Sequence, residues 1–135
     1  MNKLTPEQLV ILNQKVSGNN MDAALRVKFD ELVNLSDIPY RKNKELFYEY
    51  KTTLQMAAKL GNLIAIRKPF KLSNRETAAL ALLTLLDING IKMIDYGKDV
   101  NALYDCLEDP DIGNICKWIE AHKEQDGYIN SNRID

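Results

Sequence analysis

The sequence predicts an all-α fold, a compact bundle of about six helices around one central apolar helix. Apolar residues recur at helical spacing along most of the 135 residues. Glycine and proline divide these stretches into segments of helix length. Residues 78–86 are apolar on almost every side, which is typical of the central helix of a small bundle. The pattern leaves room for one short hairpin and for no larger sheet.

The composition predicts one soluble domain. We expect residues 1–124 to form it and residues 125–135 to be a polar, frayed tail. The formal net charge of −1 argues against a general nucleic-acid binder, which is usually strongly basic. No apolar run is long enough to span a bilayer, and no signal-peptide pattern occurs. These features favour a cytoplasmic protein that inserts in no membrane.

Local signals define the first two helices. Thr5 can cap the first helix, Pro6 takes its first position and Gln8 completes a capping box. Gly18 ends the helix. The apolar spacing then predicts a second helix over about residues 21–33.

The third predicted helix is long and covers roughly residues 43–66. Gly61 lies inside it at a cost of about 1 kcal/mol relative to alanine, and close packing against another backbone would explain the glycine. Pro69 disfavours helical geometry at Lys68, so we expect the helix to end near Arg67.

The fourth helix is the predicted central one. It should begin at about Asn74 with Ser73 as its cap, and Asn89-Gly90 should end it. Residues 91–94 can form a short extended segment. Pairing of this segment with a second one would give the hairpin.

Two more helices complete the expected bundle. The first covers roughly residues 98–107, and the second has Asp109 as its cap and Pro110 at its first position. Cys106 and Cys116 fall on separate helices, where we expect them as buried, small apolar side chains. Two such cysteines provide neither a disulfide framework nor a metal site.

The connection between the third and fourth helices resembles a known catalytic loop. It runs Lys68-Pro69-Phe70-Lys71-Leu72-Ser73-Asn74-Arg75-Glu76-Thr77-Ala78. In the Fic/Doc superfamily, and most closely its death-on-curing (Doc) branch, the motif is His-x-Phe-x-Asp/Ala-x-Asn-Lys-Arg-Thr-Ala. The positions kept here are Phe70, Asn74, Thr77 and Ala78. Lys68 stands at the histidine, Leu72 at the acid and Arg75-Glu76 at Lys-Arg. The resemblance covers most of the chain and is strongest over residues 54–94.

The resemblance implies an all-helical domain and a nucleotide-dependent transfer to a protein hydroxyl. Fic members mostly transfer AMP (AMPylation), whereas Doc transfers the terminal phosphate as a kinase acting on a translation elongation factor. Doc proteins are toxins that a short antitoxin segment neutralises. A protein partner, either an antitoxin-like segment or a target, is therefore expected. ATP with magnesium would be a cofactor only if the family activity survives.

The replacements in the loop argue against that chemistry. The family needs a general base, and histidine suits this because it titrates near neutral pH. A lysine of ordinary pKa, about 10.4, is protonated at pH 7, so Lys68 is a poor base. Leu72 can hold neither metal nor phosphate, and we expect no metal site. The only histidine, His122, is expected to be an exposed polar residue on the last helix.

The loop nevertheless keeps groups that could bind an anion. Lys71, Ser73, Asn74 and Arg75 surround a predicted helix start, where backbone N–H groups and the positive dipole end favour phosphate. Phe70 is expected to anchor the loop to the core. The alternative interpretation is an ordinary solvated basic loop.

Three functions remain open on the sequence alone. The first is a catalytically impaired Fic/Doc-like protein, in a toxin–antitoxin or phage context, which binds a protein partner or a phosphate ligand. The second is a divergent active transferase of phosphate or AMP. The third is a plain helical interaction module, with Tyr40, Tyr48 and Tyr50 either as contact surface or as half-buried core.

Overall fold

The computed structural model describes residues 1–18, 24–94 and 96–124. Within these ranges the chain forms six α-helices and two short 3-10 turns, at Ile38–Tyr40 and Tyr96–Asp99. The α-helices are α1 Pro6–Ser17, α2 Phe29–Asp37, α3 Thr53–Arg67, α4 Asn74–Ile88, α5 Val100–Cys106 and α6 Gly113–His122. Extended pairing in the described chain is limited to isolated bridges. The all-α prediction is confirmed.

The core is built on the pairing of α3 with α4. These two helices pack against each other more extensively than any other described pair, and α4 also contacts α1 and α5. The residues of α4 that are buried are Thr77, Ala78, Ala79, Ala81, Leu82, Leu85 and Leu86. The central position predicted for this helix is therefore confirmed, although Leu80 and Leu83 on its remaining side are only partly buried.

Gly61 lies where α3 meets α4 and α5. A Cβ atom at this position would lie 3.2 Å from Leu82 Cδ1, 3.3 Å from the Ala78 carbonyl oxygen and 3.3 Å from Leu107 Cδ2. These separations are shorter than ordinary van der Waals contact, and the Ala78 carbonyl belongs to a rigid helix. The close backbone approach expected at this glycine is confirmed.

The boundaries of α1 follow the prediction, but those of the next two helices do not. Thr5 and Gln8 form the capping box. Residues 25–28, which were expected in the second helix, are not helical, and α2 begins only at Phe29; the start expected near residue 21 lies outside the described residues. Residues 43–52, which were expected in the third helix, form a loop.

A capping box explains why α3 begins ten residues later than predicted. The Thr52 side chain accepts a hydrogen bond from the backbone of Gln55, and the Gln55 side chain accepts one from the backbone of Thr52. This arrangement satisfies N–H groups that helix ends leave without partners. The apolar spacing before Thr52 resembles a helix but belongs to the loop.

Further corrections concern the two later helix starts. Ser73 precedes α4 as predicted, but its backbone is left-handed (φ 60°) and its side chain makes no capping hydrogen bond. Helix α6 begins at Gly113, not at Pro110, and Asp109 is not its cap. The Asp109 carbonyl instead accepts a hydrogen bond from Asn62 of α3, at 2.8 Å.

The extended segment predicted at residues 91–94 pairs with the chain that follows α6. The Ile94 N–H donates to the His122 carbonyl at 2.6 Å, and the Glu124 N–H donates to the Lys92 carbonyl at 2.8 Å. This isolated pairing is not a hairpin. The expected frayed tail, residues 125–135, lies outside the described residues.

The sequence also predicts two buried cysteines and no membrane-spanning segment. Cys106 and Cys116 are free thiols, but both are half-buried and not fully buried as expected. Burial, with nearby carboxylates such as Asp109 and Asp111, raises the pKa of both thiols. None of the described helices combines the length and the apolar character that a bilayer crossing requires.

Candidate functional site: the loop between α3 and α4

The loop over residues 68–73 begins and ends on residues with left-handed backbone. Lys68 (φ 48°, ψ 62°) ends α3, and its N–H donates to the Ile64 carbonyl at 3.0 Å. Ser73 (φ 60°, ψ 37°) precedes α4. Non-glycine residues adopt this conformation rarely and at an energetic cost. The contacts described below hold the loop in this shape.

Phe70 lies at the centre of the loop and is completely buried. It forms an antiparallel bridge with Leu25, in the segment that precedes α2. On either side, the Lys71 N–H donates to the Ala24 carbonyl at 2.9 Å, and the Arg26 N–H donates to the Pro69 carbonyl at 2.8 Å. The segment 24–26 therefore covers one side of the loop, which the helix predicted there would not have done.

Arg26 also closes the C-terminal end of α3. Its Nε donates to the Lys68 carbonyl at 2.6 Å, and its Nη2 donates to the Arg67 carbonyl at 2.8 Å. The last carbonyls of a helix lack intrahelical partners and carry partial negative charge, so a guanidinium at this place stabilises the helix end. No local sequence signal connects Arg26 with residues some 40 positions away.

Asn74 uses its side-chain amide to hold the loop. Its Oδ1 accepts from the Phe70 N–H and its Nδ2 donates to the Phe70 carbonyl, both at 2.9 Å. These two bonds satisfy the backbone of a residue whose side chain is buried. The role of Asn74 in shaping the loop, one of the two considered from the sequence, is therefore visible in the structure.

Asn13 of α1 is a site residue that the sequence interpretation missed. It is completely buried, and its Nδ2 donates to the Leu72 carbonyl at 2.9 Å and to Thr77 Oγ1 at 3.0 Å. Thr77 Oγ1 in turn donates to the Ser73 carbonyl at 2.7 Å. The available signal was the position of Asn13 beside Leu9 on the apolar face of α1.

Two cations at the ends of the loop, Lys68 and Arg75, lie beside carboxylates. Lys68 Nζ is 3.6 Å from Glu108 Oε1, and Arg75 Nε is 3.5 Å from Glu76 Oε1. The Arg75 guanidinium also lies over the Tyr104 ring, 4.6 Å from its centroid. More than half of each cationic side chain is exposed, so these pairs contribute little to stability. Their effect is to reduce the positive charge that the loop presents.

The remaining side chains of the loop offer few groups that could hold a ligand or a metal ion. Leu72, at the place of the family acid, is 54% exposed. Lys71 is also exposed, and Ser73 makes no capping bond through its side chain. In the part of the chain that the structure describes, no three histidine, cysteine, aspartate or glutamate side chains are placed to hold a metal ion.

His122 is not the exposed residue that the sequence predicts. Its side chain is 13% exposed and stacks on Trp118, with the ring centroids 4.4 Å apart. Nε2 lies 2.9 Å from Asp99 Oδ2, and Nδ1 lies 2.7 Å from the Trp118 carbonyl. Both neighbours are acceptors, so the doubly protonated ring satisfies both. The hydrogen bond to Asp99, then that to Trp118, raises the pKa of His122.

The three tyrosines singled out in the sequence have different environments. Tyr40 is buried, Tyr50 is partly buried and Tyr48 is 44% exposed. Burial raises the pKa of Tyr40 to about 12, and the backbone of Leu4 partly offsets this. The Tyr40 hydroxyl approaches that backbone without the geometry of a hydrogen bond. Only Tyr48 therefore offers substantial contact surface.

Comparisons with known proteins identify no relative. No family model matches the chain, and neither the search of curated proteins nor that of solved structures found a significant match. The functional argument therefore rests on the residues and the geometry described above.

Proposed function

We propose that this chain is a Fic/Doc-like protein with a degenerate loop, catalytically impaired, which acts by binding a protein partner or a phosphate-containing ligand. The observation that carries the proposal is the environment of Lys68, at the place of the family histidine. Its amine lies 3.6 Å from the Glu108 carboxylate. An ammonium group in an ion pair offers no lone pair to a substrate proton, so the loop lacks a general base.

The second support is the absence of the family's acid from the loop. Leu72 presents a largely exposed hydrocarbon side chain where a carboxylate would organise magnesium or phosphate. Asn74 is engaged with the Phe70 backbone through both of its polar atoms. The cations and N–H groups that remain can attract an anion, but they do not replace a carboxylate in holding magnesium.

Between the two kinds of ligand, the charges favour a protein partner. Glu108 and Glu76 offset two of the cations in the loop, which weakens the attraction for phosphate. The contrary observation is that α4 begins without a side-chain cap, next to the exposed Lys71. Any phosphate binding that the loop retains would therefore be weak and would occur at this helix start.

Label transfer tests the loss of catalysis. The protein is incubated with ATP labelled at the α- or the γ-phosphate, with magnesium and an extract of its host as the source of targets. We expect no labelled protein above the level given by a boiled sample. Transfer that disappears in Lys68→Ala or Arg75→Ala, and persists in Lys117→Ala, would refute the proposal.

Calorimetry with ATP, with and without magnesium, tests ligand binding. Binding that is lost in Arg75→Ala and kept in Lys117→Ala would assign a phosphate ligand to the loop. Absence of binding at about millimolar nucleotide would leave a protein partner as the ligand.

The divergent transferase stays as a second candidate because of one observation. Several cations lie around a helix start whose N–H groups no side chain caps, which is a favourable place for a phosphate. This candidate requires a transfer that depends on Lys68 or Arg75, so the label-transfer experiment decides it as well.

A further inference from the structure

The loop over residues 41–51, which precedes α3, is folded around one asparagine. Asn43 Oδ1 accepts hydrogen bonds from the N–H groups of Glu45 (2.9 Å) and Phe47 (3.1 Å). The Asn43 N–H donates to the Phe47 carbonyl at 2.7 Å, and the Leu46 N–H donates to the Asn43 carbonyl at 3.0 Å. The tip of the loop, residues 43–48, therefore has a defined shape.

The two sides of the loop are also joined. Lys42 and Tyr48 form an antiparallel bridge, and the Glu49 N–H donates to the Arg41 carbonyl at 3.1 Å. Lys42 Nζ lies 5.1 Å from the centroid of the Tyr48 ring. A surface that is ordered before binding loses less conformational entropy when a partner arrives.

This ordered tip exposes three consecutive large side chains. Leu46 is 76% exposed, Phe47 64% and Tyr48 44%. Leu46 also has a left-handed backbone (φ 68°), which a bulky residue adopts rarely and at an energetic cost. Scattered apolar residues are normal on a protein surface, but a contiguous exposed group is typical of an interaction site.

Positive charge lies next to the exposed tip. A concavity of about 520 Å³ beside Tyr48 is lined by Met1, Lys3, Tyr40, Tyr48, Lys51, Thr53 and Met56. None of these described residues carries a carboxylate. Lys3 Nζ lies over the Tyr40 ring, 4.7 Å from its centroid. A second concavity, on the side of Phe47, has a volume of about 470 Å³ and is lined by Asn43, Glu45, Phe47, Tyr48 and Lys51, so a carboxylate and a cation both lie there.

We propose that this tip and the concavity beside it form a docking surface for an acidic, apolar segment of a partner protein. Apolar side chains of the segment would pack on Phe47 and Tyr48, and its carboxylates would lie near Lys3 and Lys51. The complementarity of charge selects this occupant, because the concavity of Lys3 and Lys51 offers cations and aromatic faces and, unlike the concavity on the side of Phe47, has no lining carboxylate. An anionic membrane fits less well, because the net charge of the chain, −1, gives it no long-range attraction to such a surface.

This docking surface is separate from the loop over residues 68–73. The two lie at opposite ends of α3, whose 15 residues correspond to about 22 Å of helix. The proposal therefore does not depend on the presence or absence of transferase chemistry at the other end.

Selection of peptides on the whole protein tests the proposal. Random peptides of about 12 residues displayed on phage are selected on the wild type, after depletion on the Phe47→Ala variant. We expect the enriched peptides to combine Asp or Glu with Leu, Phe or Trp. Fluorescence polarisation with the enriched peptides, labelled and synthetic, then measures affinity.

Matched variants distinguish this surface from other exposed groups. Phe47→Ala and Lys51→Glu should each weaken binding by about tenfold or more. Ile66→Ala removes an exposed apolar side chain near the other end of α3, and Lys117→Glu reverses an exposed charge on α6; both should stay within about twofold. Circular dichroism checks that each variant is folded.

Several outcomes would overturn the proposal. These are no enrichment, enriched peptides without acidic residues, or equal binding by Lys51→Glu. Light scattering that shows a dimer disrupted by Phe47→Ala would assign the surface to a second copy of this chain. Co-sedimentation with phosphatidylserine vesicles that is lost in Phe47→Ala would assign it to a membrane.

Discussion

The two ends of α3 differ in how their loops meet their hydrogen-bonding and packing requirements. At the C-terminal end, Phe70 is buried and residues 68–73 are held by side chains from α1, α4 and the segment before α2. At the N-terminal end, residues 41–51 are ordered mainly by their own contacts around Asn43, and their largest apolar side chains lie in solvent. The first loop belongs to the core, whereas the second presents a preformed surface.

This difference separates stability from binding. A loop whose polar groups are satisfied by the rest of the fold contributes to stability and has little left to offer a ligand. A loop that closes on itself can expose apolar groups without destabilising the core, since the core does not depend on them. Substitutions at the C-terminal end should therefore lower stability, whereas those at the N-terminal end should weaken binding and leave stability nearly unchanged.

The largest expected effect is that of Asn13→Ala at the C-terminal end. The substitution removes the buried donor to the Leu72 carbonyl and to Thr77 Oγ1, and leaves a small cavity. We expect a loss of about 2–3 kcal/mol in the free energy of unfolding, because buried polar groups without partners are costly. Urea unfolding followed by circular dichroism measures it.

Phe47→Ala is the matched substitution at the N-terminal end. Because this side chain is 64% exposed, we expect the free energy of unfolding to change by no more than about 0.5 kcal/mol. A loss as large as that of Asn13→Ala would show that the tip supports the core, and the contrast between the two loops would be wrong.

A smaller effect is expected for the guanidinium that closes α3. Arg26→Ala removes two hydrogen bonds to the carbonyls of Arg67 and Lys68 and should cost about 1 kcal/mol. Arg26→Lys keeps the charge but not the planar fork, so it should recover only part of the loss. Urea unfolding of the wild type and the two variants measures their free energies of unfolding, which should fall in the order wild type, Arg26→Lys, Arg26→Ala. Wild-type stability in Arg26→Ala would show that the segment before α2 does not hold the loop.

The same contrast explains which parts of the fold the sequence could predict. The start of α1 was predictable because Thr5 and Gln8 are neighbours in the chain. The start of α3 carries the equivalent Thr52-Gln55 signature, but apolar spacing across residues 46–50 favoured a longer helix. The hydrogen bonds of Asn43 fold that segment into a loop, and its apolar side chains lie in solvent and not on the core face of a helix.

The candidate site was predictable in position but not in its supporting contacts. The motif located the loop, and Pro69 located the end of α3. The contacts of Asn13 with Leu72 and Thr77 span 59 and 64 positions, and no local pattern carries such information. These distant contacts determine whether the polar groups of the loop are bonded within the protein or are free to bind a ligand.

The smallest effect concerns pH and lies at neither end of α3. His122, the only histidine of the chain, has its two ring nitrogens near the Trp118 carbonyl and the Asp99 carboxylate. Its pKa is raised in the folded state, mainly by the Asp99 hydrogen bond. The resulting stabilisation is fully present below the unfolded-state pKa, about 6.5, and is lost as the pH rises through the folded-state pKa. The contribution of His122 therefore falls as the pH rises above about 6.5.

Comparison of variants isolates this contribution from that of the carboxylates. The wild type, His122→Gln and Asp99→Asn are unfolded in urea at about pH 6 and about pH 8. We expect the wild type to lose more stability than either variant over this interval, because neither variant keeps the charged pair. An equal change in all three proteins would contradict the raised pKa.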